Sequence, residues 1–230
     1  MTSSAFDASI RSSRAFLAEC GLIRSTTVLR SRSASREFVE LVLSGTASYR
    51  EVFLCGLRNS DYNFLLNDFA FLQFSFFSKK HYRFAYYPNP FLDAQIVIQE
   101  LDESLEAGAI TYEDYSDFIS DQPYEITKPP IRFELDCEAY VCLRHPAAHF
   151  HIGNYIENRW PVCRALTPRS FCLLVAKHYY GENWQSGIKN DLKEGFENVF
   201  DQYMNKEKTS CELLDAGFFQ KLEQGQMYFA

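Results

Sequence analysis

No apolar run in this chain approaches the ~20 residues that a membrane-crossing helix needs, so no membrane partner is expected. The N-terminus lacks the apolar stretch of a secretory signal, and its Ser/Arg richness fits a folded helix better than an organelle transit peptide. The seven Cys include no CxxC pair, and most sit inside apolar runs. That pattern speaks against a disulfide framework and for buried, reduced thiols in a cytoplasmic protein. Absent too are GxGxxG, GxxxxGKS/T, GxSxG and HExxH, the signatures of dinucleotide sites, P-loops, hydrolase nucleophile elbows and zinc peptidases. The alternating His-x-His-x-His of histidine-triad nucleotide hydrolases fails at Gly153. There is no internal repeat and no low-complexity tract.

Trp is scarce, at 2 residues, but 21 Phe and 14 Tyr stand in a chain of 230, which points to a ring-built core with strand propensity. The net charge of −7 argues against whole-surface attraction to nucleic acid or acidic lipid. Charge is unevenly spread. Residues 93–125 hold no Lys or Arg and ten acidic side chains, a solvated helical face or a dock for a basic protein partner. Residues 142–178 carry Arg144, Arg159, Arg164, Arg169 and Lys177 against Glu157 alone, together with four of the five His. Only that stretch offers an anion a local welcome.

The pattern predicts one α+β domain, a mostly antiparallel sheet with helices packed on it. Residues 1–45 supply an N-terminal helix and strands, 46–180 the core, and 181–230 a helical tail. A helix is expected over 5–20, opened by Ser4 and stopped by Gly21, then short strands over 22–29 and 37–44. Ser48-Tyr-Arg-Glu51 is a capping box for a helix reaching Arg58. Ring-rich runs 69–77 and 81–87 around a polar break read as a hairpin. Helices are expected over 94–107 and 112–119, with a hinge near Pro123–Pro130. Ile131–Asp136 alternates apolar and charged residues, a half-buried strand with Arg132, Glu134 and Asp136 on one face. Strands follow at 149–152 and 159–164. A helix capped by Thr167-Pro168 ends at Gly181, and two polar helices lie near 191–204 and 211–222.

The dense chemical constellation is His145-Pro-Ala-Ala-His149-Phe-His151-Ile-Gly153. On a strand, His149 and His151 share a face with Cα atoms ~6.5 Å apart, near enough to grip one metal ion or one phosphate. Gly153 would let a ligand or backbone come close. His145, His149, His151, Glu134 and Asp136 are the candidate catalytic groups, and Arg132, Arg159 and Arg164 the candidate substrate-binding ones. Three chemistries fit: a divalent metal site with water in an open position, metal-free acid–base cleavage of a phosphodiester, and plain phosphate binding. A structural zinc site would need Cys142 or Cys163 nearby. Histidines in such a place also serve as satisfied structural residues. His81 and His178, within ring-rich runs, are expected at the core edge.

Ser48-Tyr-Arg-Glu51, Tyr62–Asp68, Arg83-Phe-Ala-Tyr-Tyr-Pro-Asn-Pro90 and Ile131-Arg-Phe through Leu166-Thr-Pro168 agree in order and spacing with an uncharacterised bacterial family of about this length. The chain resembles that family over most of residues 45–180. The family pattern runs Arg-Phe, then His-Pro-x-x-His-x-His-x-Gly with Thr accepted at the third histidine, then Leu-Thr-Pro. The resemblance implies an intracellular protein among anti-phage defence or mobile genes. The leading expectation is a nuclease-like phosphodiester hydrolase acting on RNA or DNA. The alternative is a non-catalytic part of a defence or toxin–antitoxin complex, with a structural His cluster.

Overall fold

The computed structural model describes residues 1–91, 100–101, 103–105, 107–121, 123, 128–153, 158–191 and 195–226. Its centre is a seven-stranded antiparallel meander in which each strand pairs with the next one in the chain. The strands are β1 (Ile23–Thr26), β2 (Phe64–Leu66), β3 (Phe71–Ser78), β4 (His81–Tyr87), β5 (Ile131–Asp136), β6 (Ala148–Ile152) and β7 (Trp160–Pro161). The predicted hairpin is β3–β4, and β5 keeps the predicted bounds with strict burial alternation.

Alternation gives the sheet two unlike faces. On one, Phe64, Leu72, Phe74, Tyr82, Phe84, Phe133, Leu135 and Ala148 are all buried. Helices α1 (Ser3–Glu19) and α5 (Pro168–Tyr179) cover this face, together with Trp184 of α6 (Gly181–Gln185) and Phe200 of α7 (Val199–Ser210). The other face is covered only in part. Phe38 of α2 (Arg36–Ser44), Val52, Phe53 and Cys55 of α3 (Tyr49–Arg58), and Tyr115 and Ile119 of α4 (Tyr112–Ser120) pack over Leu65, Phe71, Ala85 and Tyr87. Gly56 sits where α3 presses closest: a Cβ there would lie 2.5 Å from the Phe71 ring. The rest of that face is polar, with Gln73, Ser75, His149 and His151 buried and Arg132 and Glu134 half-buried.

Local rules explain the helix starts. Ser48 and Glu51 form the predicted capping box, and Thr167 caps α5 with Pro168 in its first turn. Helix α1 starts earlier than predicted, because Thr2 rather than Ser4 accepts from Ala5 N. The strand expected over 37–44 is α2 instead. Ser35 caps it, Gly45 ends it in the left-handed region, and Phe38, Leu41 and Val42 recur at helical spacing. Gly181 does not end a chain of helix; it opens α6 directly after α5. The expected strand over 159–164 divides into β7 and β8 (Arg164–Ala165), which belong to different sheets. Where a helix was expected from 191, β9 (Ile188–Asp191) and β10 (Gly195–Asn198) form a hairpin and α7 begins at Val199. Likewise 211–222 holds β11 (Glu212–Leu213), paired with β8, and helix α8 starts only at Lys221. The helix expected over 94–107 and the hinge near Pro123–Pro130 lie mostly outside the described residues.

Asp61 fixes the polar stretch before α2. Fully buried, it accepts from Arg32 Nη2 at 3.0 Å, from Ser35 N at 2.9 Å and from the Ser35 hydroxyl. One carboxylate thus holds both the Arg30–Arg36 segment and the N-cap of α2. Removing one partner of a buried ion pair costs about 3–5 kcal/mol. Asp61→Ala is therefore expected to lower the urea midpoint strongly, with α2 the first element to lose amide-exchange protection.

Candidate metal centre

The polar half of that face gathers the chemistry. Register places Arg83 against Glu134 and Glu134 against His149, with Ala85, Arg132 and His151 aligned in the next row. All project to the polar face because each is an alternate position of its strand. Above them α2 leans over the sheet, leaving a cavity of about 330 Å³. Arg132, Glu134, Asp136, His145, His151 and Arg159 reach it from the sheet side, and Val39, Val42 and Leu43 from α2.

His151 lines the cavity, and its Nε2 lies 3.0 Å from Nε2 of His149, which is fully buried behind it. The Nδ1–H of His149 donates to Pro146 O at 2.8 Å, so its Nε2 carries a lone pair. Glu134 Oε2 stands 3.9 Å from both Nε2 atoms. Its other oxygen, Oε1, accepts from Arg83 Nε at 2.7 Å and Nη2 at 2.6 Å. Two imidazoles on a tetrahedral zinc ion at 2.0–2.1 Å have nitrogens about 3.3 Å apart, so the pair already has ligand spacing and Glu134 needs to close by only about half an ångström. Arg83 and the Pro146 carbonyl are the outer partners that orient ligands in such centres.

Burial disfavours the imidazolium of His149 and lowers its pKa to about 4. It is neutral at pH 7, the form that binds metal. In the unfolded chain this imidazole titrates near 6.5. Between these values the unfolded state takes up a proton that the native state refuses. Stability of the metal-free protein should be full above about pH 6.5 and fall toward pH 4, by about 3 kcal/mol in all. Denaturant titrations at pH 7 and pH 5 read this directly; a flat profile would contradict it.

Of the sequence-predicted residues, the structure brings His145, His149, His151, Glu134, Arg132 and Arg159 together. The His145 ring centroid lies 5.0 Å from that of His149, held there by a tight turn in which His145 N donates to Val141 O. The His145 Nδ1 is buried, with no hydrogen-bond partner among the described residues. Asp136 reaches the cavity but stands apart from the His149–His151 pair. It caps the following turn, accepting from Glu138 N and Ala139 N, and faces His81 at 3.9 Å. Arg164 is elsewhere: on β8, it donates to Cys211 O at 2.8 Å and steadies the chain after α7. Gly153 ends β6 with φ 84°, donating to Pro130 O.

Sequence reasoning missed Arg83 and His81. His81 is no core-edge residue; its Nε2 lies 3.6 Å from Glu134 Oε1, forming a second possible ligand set with Asp136. Arg83 already occupies that side of Glu134, which leaves the His149–His151 side the better cation site. Neither set contains a thiolate. Burial raises the thiols of Cys20 and Cys55 to about 11 and that of Cys172 to about 12, so these three are inert. All seven Cys are unpaired.

An α+β protein with a two-histidine, one-carboxylate cluster on the polar half of one sheet face is the class these observations define. The chain belongs to the family described as Uncharacterized conserved protein (DUF2290), which it matches over residues 24–220. That span includes every cavity residue named above. Nothing among curated proteins or solved structures matches the chain. Among the described residues no helix is long and apolar enough to cross a membrane.

Proposed function

We propose that this protein is a metal-dependent phosphodiester hydrolase. The observation that carries the reading is the convergence of His149 Nε2, His151 Nε2 and Glu134 Oε2 beside a half-buried arginine that has no carboxylate partner among the described residues, Arg132. The donor set of two imidazoles and one carboxylate suits zinc, iron or manganese rather than calcium. An ion held there would bind water in an open position and lower its pKa toward neutrality. Water activated by such an ion would form the new bond to phosphorus as the ester P–O bond breaks, and His145 would carry the proton from that water to the departing oxygen. Arg132 stabilises the charge that develops on the non-bridging oxygens. The products are a phosphomonoester and an alcohol.

Metal content of untagged protein, measured by mass spectrometry beside hydrolysis of bis(p-nitrophenyl) phosphate, tests this. About one divalent ion per chain is expected, with hydrolysis lost on chelation and restored by metal. His149→Ala should lose both ion and activity. Protein that takes up no ion, or that hydrolyses equally well after chelation, would sink the reading. In that case the 3.0 Å contact is a hydrogen bond from His151 to His149, with a structural role.

A further inference from the structure

The cavity has two chemically different walls. One is the Arg132–His151 row of the sheet. The other is apolar: Val39 and Leu43 of α2 and Phe77 at the end of β3. These three are exposed by 41%, 65% and 54%. Large apolar side chains left open inside a concave site that also holds Arg132, a cation with no carboxylate partner among the described residues, mark a ligand with two halves. The Phe77 ring stands beside the polar row of β4: the His81 ring lies 4.6 Å away and the Arg83 guanidinium 5.8 Å from its centroid.

Resting on the phosphodiesterase reading, we infer that the substrate is single-stranded nucleic acid, taken one nucleotide at a time, with the phosphate at Arg132 and the base against Phe77 and the α2 wall. Three observations select this class. A base is a flat apolar face joined to an anion, which matches the two walls, and any base can stack on an aromatic ring through its π-face. The cavity, at about 330 Å³, holds one unit of a small ligand and excludes a duplex. The net charge of −7 argues against whole-surface attraction of a long polyanion, which places recognition on the local basic groups of this pocket.

Calorimetric titration of chelator-treated protein with adenosine 5′-monophosphate, adenosine and inorganic phosphate separates the two halves of the ligand without any catalysis. The nucleotide should bind at least tenfold more tightly than phosphate. Phe77→Ser and Leu43→Ser, both at exposed positions, should bring nucleotide affinity down to that of phosphate and leave phosphate binding unchanged. Arg132→Gln should weaken phosphate and nucleotide alike. Equal affinity for nucleotide and phosphate, or indifference to Phe77→Ser, overturns the inference. Sustained hydrolysis of bis(p-nitrophenyl) phosphate would in that case leave the hydrolase reading standing. With the metal-loaded enzyme, cleavage of a single-stranded oligonucleotide should exceed cleavage of the same sequence in a duplex by at least tenfold; equal rates would also overturn it.

Discussion

Glu134→Gln should lower divalent-metal affinity and phosphodiester hydrolysis by more than about 100-fold, beyond the 10–100-fold typical of losing an outer partner. The amide keeps the shape of the side chain but removes the anionic ligand. It also removes the charge that Arg83 neutralises at 2.6 Å and that His81 faces at 3.6 Å. Arg83 is half exposed, so water replaces the lost contact and the fold should hold. The variant therefore separates chemistry from stability in a way that His149→Ala, fully buried, does not. Its readouts are metal stoichiometry, hydrolysis rate and urea midpoint. A variant that retains its metal and rate would remove Glu134 from the centre.

On the opposite face, Phe84→Ala should cost about 3–5 kcal/mol, the usual penalty for emptying a ring-sized site in a core. Phe84 is fully buried, and its ring centroid lies within 5.4–5.7 Å of Phe6, Phe74, Tyr82, Phe133 and Phe171. These rings come from α1, β3, β4, β5 and α5, so no single neighbour can move in to fill the void. Against a total stability of about 5–15 kcal/mol the loss is large, and the urea midpoint should show it. A loss below about 1 kcal/mol would mean that the face is loosely packed.

Which parts of this arrangement the chain makes legible follows from how local each signal is. The alternation of Ile131–Asp136 names both faces of β5, and Thr167-Pro168 names the start of α5. Residues 37–44 were harder, since Phe38-Val-Glu-Leu-Val-Leu43 satisfies strand and helix patterns together; Ser35 and Gly45 at its ends decide for the helix. In the centre, His145, His149 and His151 lie close in sequence and were found together. His81 and Arg83 alternate with Tyr82 and Phe84, which signals that they share a face. That this face is the one holding Glu134 depends on β4 pairing with β5 across a long connection, and no local pattern carries that. Arg164 misled for the same reason. Its charge was visible but its strand belongs to another sheet.

Pro161 shapes what other chains can do at the side of the sheet nearest the histidines. It stands opposite His149 on the terminal strand, and its neighbour Val162 donates inward to Ala148 O at 2.9 Å. Alternation then turns the backbone of residue 161 outward, where an incoming strand would look for an N–H, and proline has none. A two-residue border with that gap is a poor template for β-augmentation. Copies of this protein therefore cannot readily zip together strand to strand along that border.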